Sequence, residues 1–208
     1  MGDPDVLLRR AHDAGYRFPQ GFAGFTATVR TGAGDSGRLV VRSRTEIELT
    51  FAGEPSDDAS WVRDEVASIV SHRWPSGYDE GDGRWAKRAD GELVTILDDP
   101  FDSAYKLRDN VISEVHRTVG SARFVIVVSE RLRTADGRHL PTHFTVFHWD
   151  TGTGQLNRAD HFTDSYTVVG GVYLPEQRRV VSASDEGLVT RVLELADHTV
   201  DATVDSDA

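Results

Sequence analysis

Between residues 60 and 74, in SWVRDEVASIVSHRW, apolar side chains recur at helical spacing. Val62, Val66, Ile69 and Val70 fall at i, i+4, i+7 and i+8, one stripe of a 3.6-residue helix. Trp61 and Ala67 flank the stripe, while Arg63, Asp64, Ser71 and His72 lie off it. Asp58 or Ser60 is placed to cap the first turn, and Pro75 stops the helix. Asp64 and Glu65 sit towards its positive end, His72 and Arg73 towards its negative end. A lone helix of this length is marginal in water, so the stripe must dock. The only large apolar surface elsewhere in the chain is a sheet. A second, shorter helix is expected over residues 3–14, with Asp3 or Asp5 as cap, Pro4 in its first turn and Val6, Leu7, Arg10, Ala11 and Ala14 as its stripe.

The rest alternates. Phe25, Ala27 and Val29 point one way and Thr26, Thr28 and Arg30 the other, as on a half-buried strand. Residues 38–42 and 46–51 repeat that period, with Ile47, Leu49 and Phe51 inward. From Arg84 onward the chain reads as hairpins. Turn pairs stand at Asp90-Gly91, Asp109-Asn110, Asp136-Gly137 and Gly170-Gly171, and such pairs suit two-residue loops that need positive φ. Loops that short join only antiparallel neighbours, so residues 84–195 should form a sequential meander. Residues 124–128 are apolar at five consecutive positions, which predicts cover on both faces of that strand. The acidic end from His198 on is expected to fray.

Composition narrows the function classes. The 208 residues carry 23 basic and 34 acidic groups, a net charge of −11. That argues against nucleic acid and against anionic membrane surfaces as partners. There is no cysteine, so disulfides, thiol catalysis and cysteine–metal sites are excluded. No signal-peptide pattern and no transmembrane-length apolar run is seen, and the expected compartment is the cytoplasm. The expected organisation is a single domain over residues 1–197 with a flexible acidic tail over 198–208.

Candidate chemistry is sparse. His139, His143 and His148 resemble a metal set, but on one strand His143 and His148 point to opposite faces; no metal and no cofactor is expected. His72-Arg73 and His116-Arg117 each follow an apolar run and could converge with Glu114 or Asp109 for acid–base or anion chemistry. As plain structure they read as a helix C-terminal cap and a cross-strand ion pair. Asp98, Asp99, Asp102 and Asp109 lack calcium-loop spacing and read as a solvated loop. Nucleophile-elbow, Walker and dinucleotide motifs are absent. The loop at residues 76–83 is the expected mobile segment.

The order of segments carries a resemblance. GFAGFTATV, SGRLVVRSRTEIEL, WVRDEVASIVSHR, YKLRDNVISEVHRTVG and VVGGVYLPEQRRVV together resemble a domain-of-unknown-function family of bacteria and plastids, over about residues 21–195. That family implies no catalytic residues. The opening helix–strand–strand–helix pattern is also similar to the curved half-barrel of lipoprotein carriers of the LolA kind. The expected fold is therefore α+β: a highly curved antiparallel sheet, a half-barrel meander, with one central helix on its concave face and a short N-terminal helix. The expected function is non-catalytic binding of a small apolar or lipid-like molecule in the helix–sheet cleft, at Trp61, His72, Arg73, Tyr105, His116, Arg117, Phe124 and Phe147. The alternatives are an enzyme built on the His/Arg cluster and a protein-interaction module using a sheet edge or the 76–83 loop. The oligomeric state stays open.

Overall fold

The computed structural model describes residues 3–54, 56, 58–75, 84–87 and 93–201. The Asp90-Gly91 turn and the 76–83 loop lie outside them. The described residues form two helices and twelve strands in an antiparallel sheet, in two compact units. One unit comprises Met1–Tyr16, Gly77–Phe162 and Val181–Val189; the other comprises Arg17–Ser76, Thr163–Val180 and Thr190–Ala208.

The second of these holds the helix predicted most clearly. Its sheet contains β1 (Phe25–Thr31), β2 (Ser36–Val41) and β3 (Ile47–Phe51), with parts of the long strands β10 (Leu156–Val169), β11 (Val172–Ser184) and β12 (Gly187–Val200). The hydrogen-bonded order is β3-β2-β1-β12-β11-β10. Alternation puts Phe25, Ala27, Val29, Leu39, Val41, Leu174, Leu193 and Leu195 in the core. Helix α2 (Asp58–Arg73) buries Val62, Val66, Ile69 and Val70, each 3% exposed or less. The predicted stripe is thus the buried one.

The position just before α2, residue 57, lies outside the described residues. The helix starts at Asp58, and Ser56 Oγ accepts from the Asp58 N–H at 3.3 Å while donating to Asp35 Oδ2 at 2.5 Å. Asp58 instead accepts from Arg191 Nε at 2.8 Å. At the other end, Arg17 Nη1 donates to the His72 carbonyl at 2.8 Å and the Phe18 N–H to the Arg73 carbonyl at 2.7 Å. These satisfy carbonyls that the helix leaves without partners. Phe18, Phe22 and Trp74 then close the end, with ring centroids 4.4 to 6.0 Å apart. Strand β12 continues through Val200, so residues 198–200 belong to the sheet rather than to a frayed end.

The other unit holds α1 (Pro4–Asp13), which packs against β4 (Arg84–Lys87), β5 (Leu93–Ile96), β6 (Ala104–Arg108) and β7 (Val111–Val119). Asp3 caps α1, accepting from the Asp5 N–H at 2.9 Å, and Pro4 opens it. The buried side is Leu8 and Ala11, whereas Val6 is 45% exposed, so the expected stripe was set about one residue off. The order continues through β8 (Ala122–Arg133) and β9 (His139–Asp150) to β10, a meander as the turn pairs implied. Asp109 and Asn110 have φ of 52° and 61°, the conformation a two-residue hairpin needs. Residues 124–128 are half-buried rather than covered. No helix among the described residues is long and apolar enough to cross a membrane.

Candidate functional site

Directly paired residues on neighbouring strands share a face, and successive residues on one strand do not. The pairings Arg117↔Phe124↔His148 and Tyr105↔Val115↔Ile126↔Val146 therefore define two rows on one face of the β6–β9 sheet. The pairings Ala104↔His116↔Val125↔Phe147 and Lys106↔Glu114↔Val127↔Thr145 define two rows on the other. Of the residues expected at the site, Tyr105, Arg117 and Phe124 share the first face, and His116 and Phe147 the second. Being adjacent on β7, His116 and Arg117 point apart.

On the first face Arg117 Nη2 donates to the Tyr105 hydroxyl at 3.2 Å, and its guanidinium carbon lies 5.8 Å from the Phe101 ring centre. Arg117 Nε is buried and has no hydrogen-bond partner, an arrangement that costs about 1–3 kcal/mol where nothing else answers it. Asp99 feels the Arg117 charge, but its Oδ1 is taken by the Phe101 and Ser103 N–H groups at 3.0 and 2.9 Å. Burial raises the Asp99 carboxyl, and these bonds with Arg117 more than offset it, leaving the pKa below the ordinary value. Across Phe124, His148 Nε2 lies 2.8 Å from Asp160 Oδ2, and Arg158 Nε donates to the same oxygen at 2.9 Å. Burial raises the Asp160 carboxyl too, but bonds from His148 and Ser182 and the Arg158 charge hold it below its ordinary value. Phe144, paired with Val128, stacks on Phe162 with ring centroids 4.5 Å apart.

The second face is charge-balanced. Lys106 Nζ donates to Glu114 Oε1 at 2.9 Å, and His116 Nε2 lies 3.1 Å from Glu114 Oε2. Burial raises the Glu114 pKa, and Lys106 and His116 pull it down past the ordinary value. His143 meets Glu130 at 3.2 Å while His148 meets Asp160, so the two histidines do point apart. No group of three or more metal-ligating side chains is found among the described residues.

The three remaining expected residues lie in the α2 unit. The Trp61 ring sits 5.9 Å from the Arg191 guanidinium, and His72 Nδ1 donates to the Ser68 carbonyl at 2.7 Å. Arg73 is buried, donates to the Tyr166 hydroxyl at 2.6 Å and lies over that ring at 4.6 Å. This leads to a cluster that pattern reading missed. Arg178 grips Asp164 through Nε at 2.8 Å and Nη2 at 2.6 Å, and reaches Glu65 of α2 through Nη1 at 2.7 Å. Burial works against the Arg178 charge, but the two carboxylates raise its pKa above the usual arginine value. Burial pushes the Tyr166 phenol up to about 12, so it stays protonated. The signal was present: Asp164 and Arg178 occupy inward positions of strands whose other inward residues include Leu174 and Val180. An open groove of about 520 Å³ on that sheet is lined by Glu176, Glu194, Asp197 and His198 together with Val169, Leu195 and others.

A family model described as a protein of unknown function (DUF3386) matches residues 3–200. The chain belongs to that family. No curated protein matches this DUF3386 chain.

Proposed function

We propose that this DUF3386 protein binds a small apolar or lipid-like molecule without chemistry, and that it does so on the β7–β9 sheet of the α1 unit. One observation carries the reading. Residues 124–128 of β8 and their partners Phe144, Val146 and Phe147 of β9 are only half-buried, although a five-residue apolar run is ordinarily covered on both faces. Every further 100 Å² of apolar surface covered is worth about 2.5 kcal/mol, so an apolar ligand of modest size gains enough to bind at micromolar concentration after its ordering cost. Against α2 the comparable space is already filled by Val62, Val66, Ile69 and Val70, which moves the site from the α2 cleft to the β7–β9 sheet.

The reading takes from the sequence resemblance a half-barrel curvature like that of lipoprotein carriers, one central helix on the concave face, and a bacterial and plastid range. A cytoplasmic setting goes with it, since the chain has no cysteine to form a disulfide.

The test is displacement of a fluorescent fatty-acid analogue. Micromolar binding is expected for the protein, with a loss of tenfold or more in Phe124→Asp and little change in Trp61→Ala. Wild-type protein that binds no such analogue, or a Phe124→Asp variant that binds it as well as wild type, contradicts the reading.

A further inference from the structure

On the β7–β9 face the polar and apolar rows lie side by side. Among the described residues, three other basic groups of this sheet and of the α2 core are met by carboxylates: Lys106 by Glu114 at 2.9 Å, Arg158 by Asp160 at 2.9 Å, Arg178 by Asp164 and Glu65. Arg131, half-buried on β8, donates instead to the Ile112 carbonyl at 2.6 Å. Arg117 has no such answer. Its contacts are a phenol and an aromatic ring, the Asp99 charge reaches it without a hydrogen bond, and its Nε lacks an acceptor. On the far side of Phe124, His148 and Arg158 share one carboxylate, Asp160. The row Arg117, Phe124 and His148 thus crosses three strands and carries one permanent cation, Arg117, with no carboxylate bonded to it, in a chain whose net charge is −11. It runs beside the apolar row Val115, Ile126 and Val146, which spans about 10 Å at the usual strand spacing of about 4.8 Å.

We propose that the ligand is an amphiphile with one small anionic head, such as a long-chain fatty acid, and that Arg117 binds the head while Val115, Phe124, Ile126 and Val146 take the chain. The guanidinium is suited to this because it presents donors in a planar fork that matches a carboxylate. A neutral head of the same size leaves those donors unanswered. The inference rests on the binding reading above and adds the chemistry of the head.

The test compares two probes with one chain length, oleate and oleyl alcohol, each displacing the neutral dye N-phenyl-1-naphthylamine at sub-micellar concentration. Wild-type protein is expected to bind oleate at least tenfold tighter than oleyl alcohol. Arg117→Gln should erase that preference and leave the affinity for the alcohol within twofold; Arg117→Lys, which keeps the charge, should keep most of it. Phe124→Asp should weaken both ligands. Equal affinity of the wild type for the two probes overturns the assignment of the head and leaves the binding reading standing. So does an Arg117→Gln variant whose circular dichroism is unchanged and which weakens both ligands alike. Failure of both probes to displace the dye from wild type overturns the binding reading, and this inference with it.

Discussion

Replacing Arg178 with methionine should be among the most damaging single changes in the α2 unit. The side chain is 6% exposed, and its partners Asp164 and Glu65 are 3% and 15% exposed. Methionine fills similar space but leaves two carboxylates close together with no cation gripping them. Removing one partner from a buried pair costs about 3–5 kcal/mol, against a total stability of about 5–15 kcal/mol for a domain. A loss of about 4 kcal/mol lowers the melting temperature by about 8–16 °C for a chain of this size. The double variant Asp164→Leu with Arg178→Met removes the pair together, and well-packed apolar replacements of buried pairs are often neutral. It should therefore be more stable than Arg178→Met alone, with Glu65 exposed enough to turn towards water. Urea unfolding followed by tryptophan fluorescence gives all three stabilities. A loss below about 1 kcal/mol for Arg178→Met, or a double variant less stable than the single one, would refute the view that this cluster holds α2 to the sheet by charge compensation.

Other positions offer sharper single tests. Ile69→Ala should cost about 2–5 kcal/mol by opening a cavity under α2, whereas Arg63→Ala on the wet face should stay within about 0.5 kcal/mol; equal losses in urea unfolding would contradict the assigned faces. Gly24 has φ of +120°, and a Cβ there would lie 1.9 Å from the Val41 carbonyl oxygen, so Gly24→Ala should cost about 3 kcal/mol or more, while Gly34→Ala, with nothing within 4 Å, should cost about 1 kcal/mol. Burial holds the His198 pKa below its ordinary value despite its bond to the Pro175 carbonyl. The unfolded chain then takes up the proton first, so stability is full above about pH 6.5 and falls as the pH drops towards the folded value. Melting curves from pH 7.5 to 5 should show a smaller decline in His198→Gln than in wild type; parallel declines would exclude the histidine as a source.

What the chain disclosed in advance followed from local physics. The 3.6-residue spacing of Val62, Val66, Ile69 and Val70, and turn pairs such as Asp109-Asn110, act over a few residues and can be read directly. The α1 face was misjudged because a ten-residue helix offers several overlapping stripes, and only the sheet selects Leu8 and Ala11. The bond from the Asp58 N–H to Ser56 escaped notice because Ser56 is oriented by Asp35, 21 residues away. The same holds for Glu65 and Arg178, separated by 113 residues. At the candidate site, alternation on β7 was enough to part His116 from Arg117, yet the neighbour each finds depends on cross-strand register, which no periodicity reveals.

Native mass spectrometry of the protein purified under non-denaturing conditions from its own host bears most directly on the proposal that the β7–β9 sheet is finished by a bound apolar molecule. Wild type should carry an extra mass of lipid size that is lost on organic extraction, and Phe124→Asp should fly without it. A wild-type spectrum showing the bare polypeptide alone, with no adduct regained on incubation with oleate, would contradict the account.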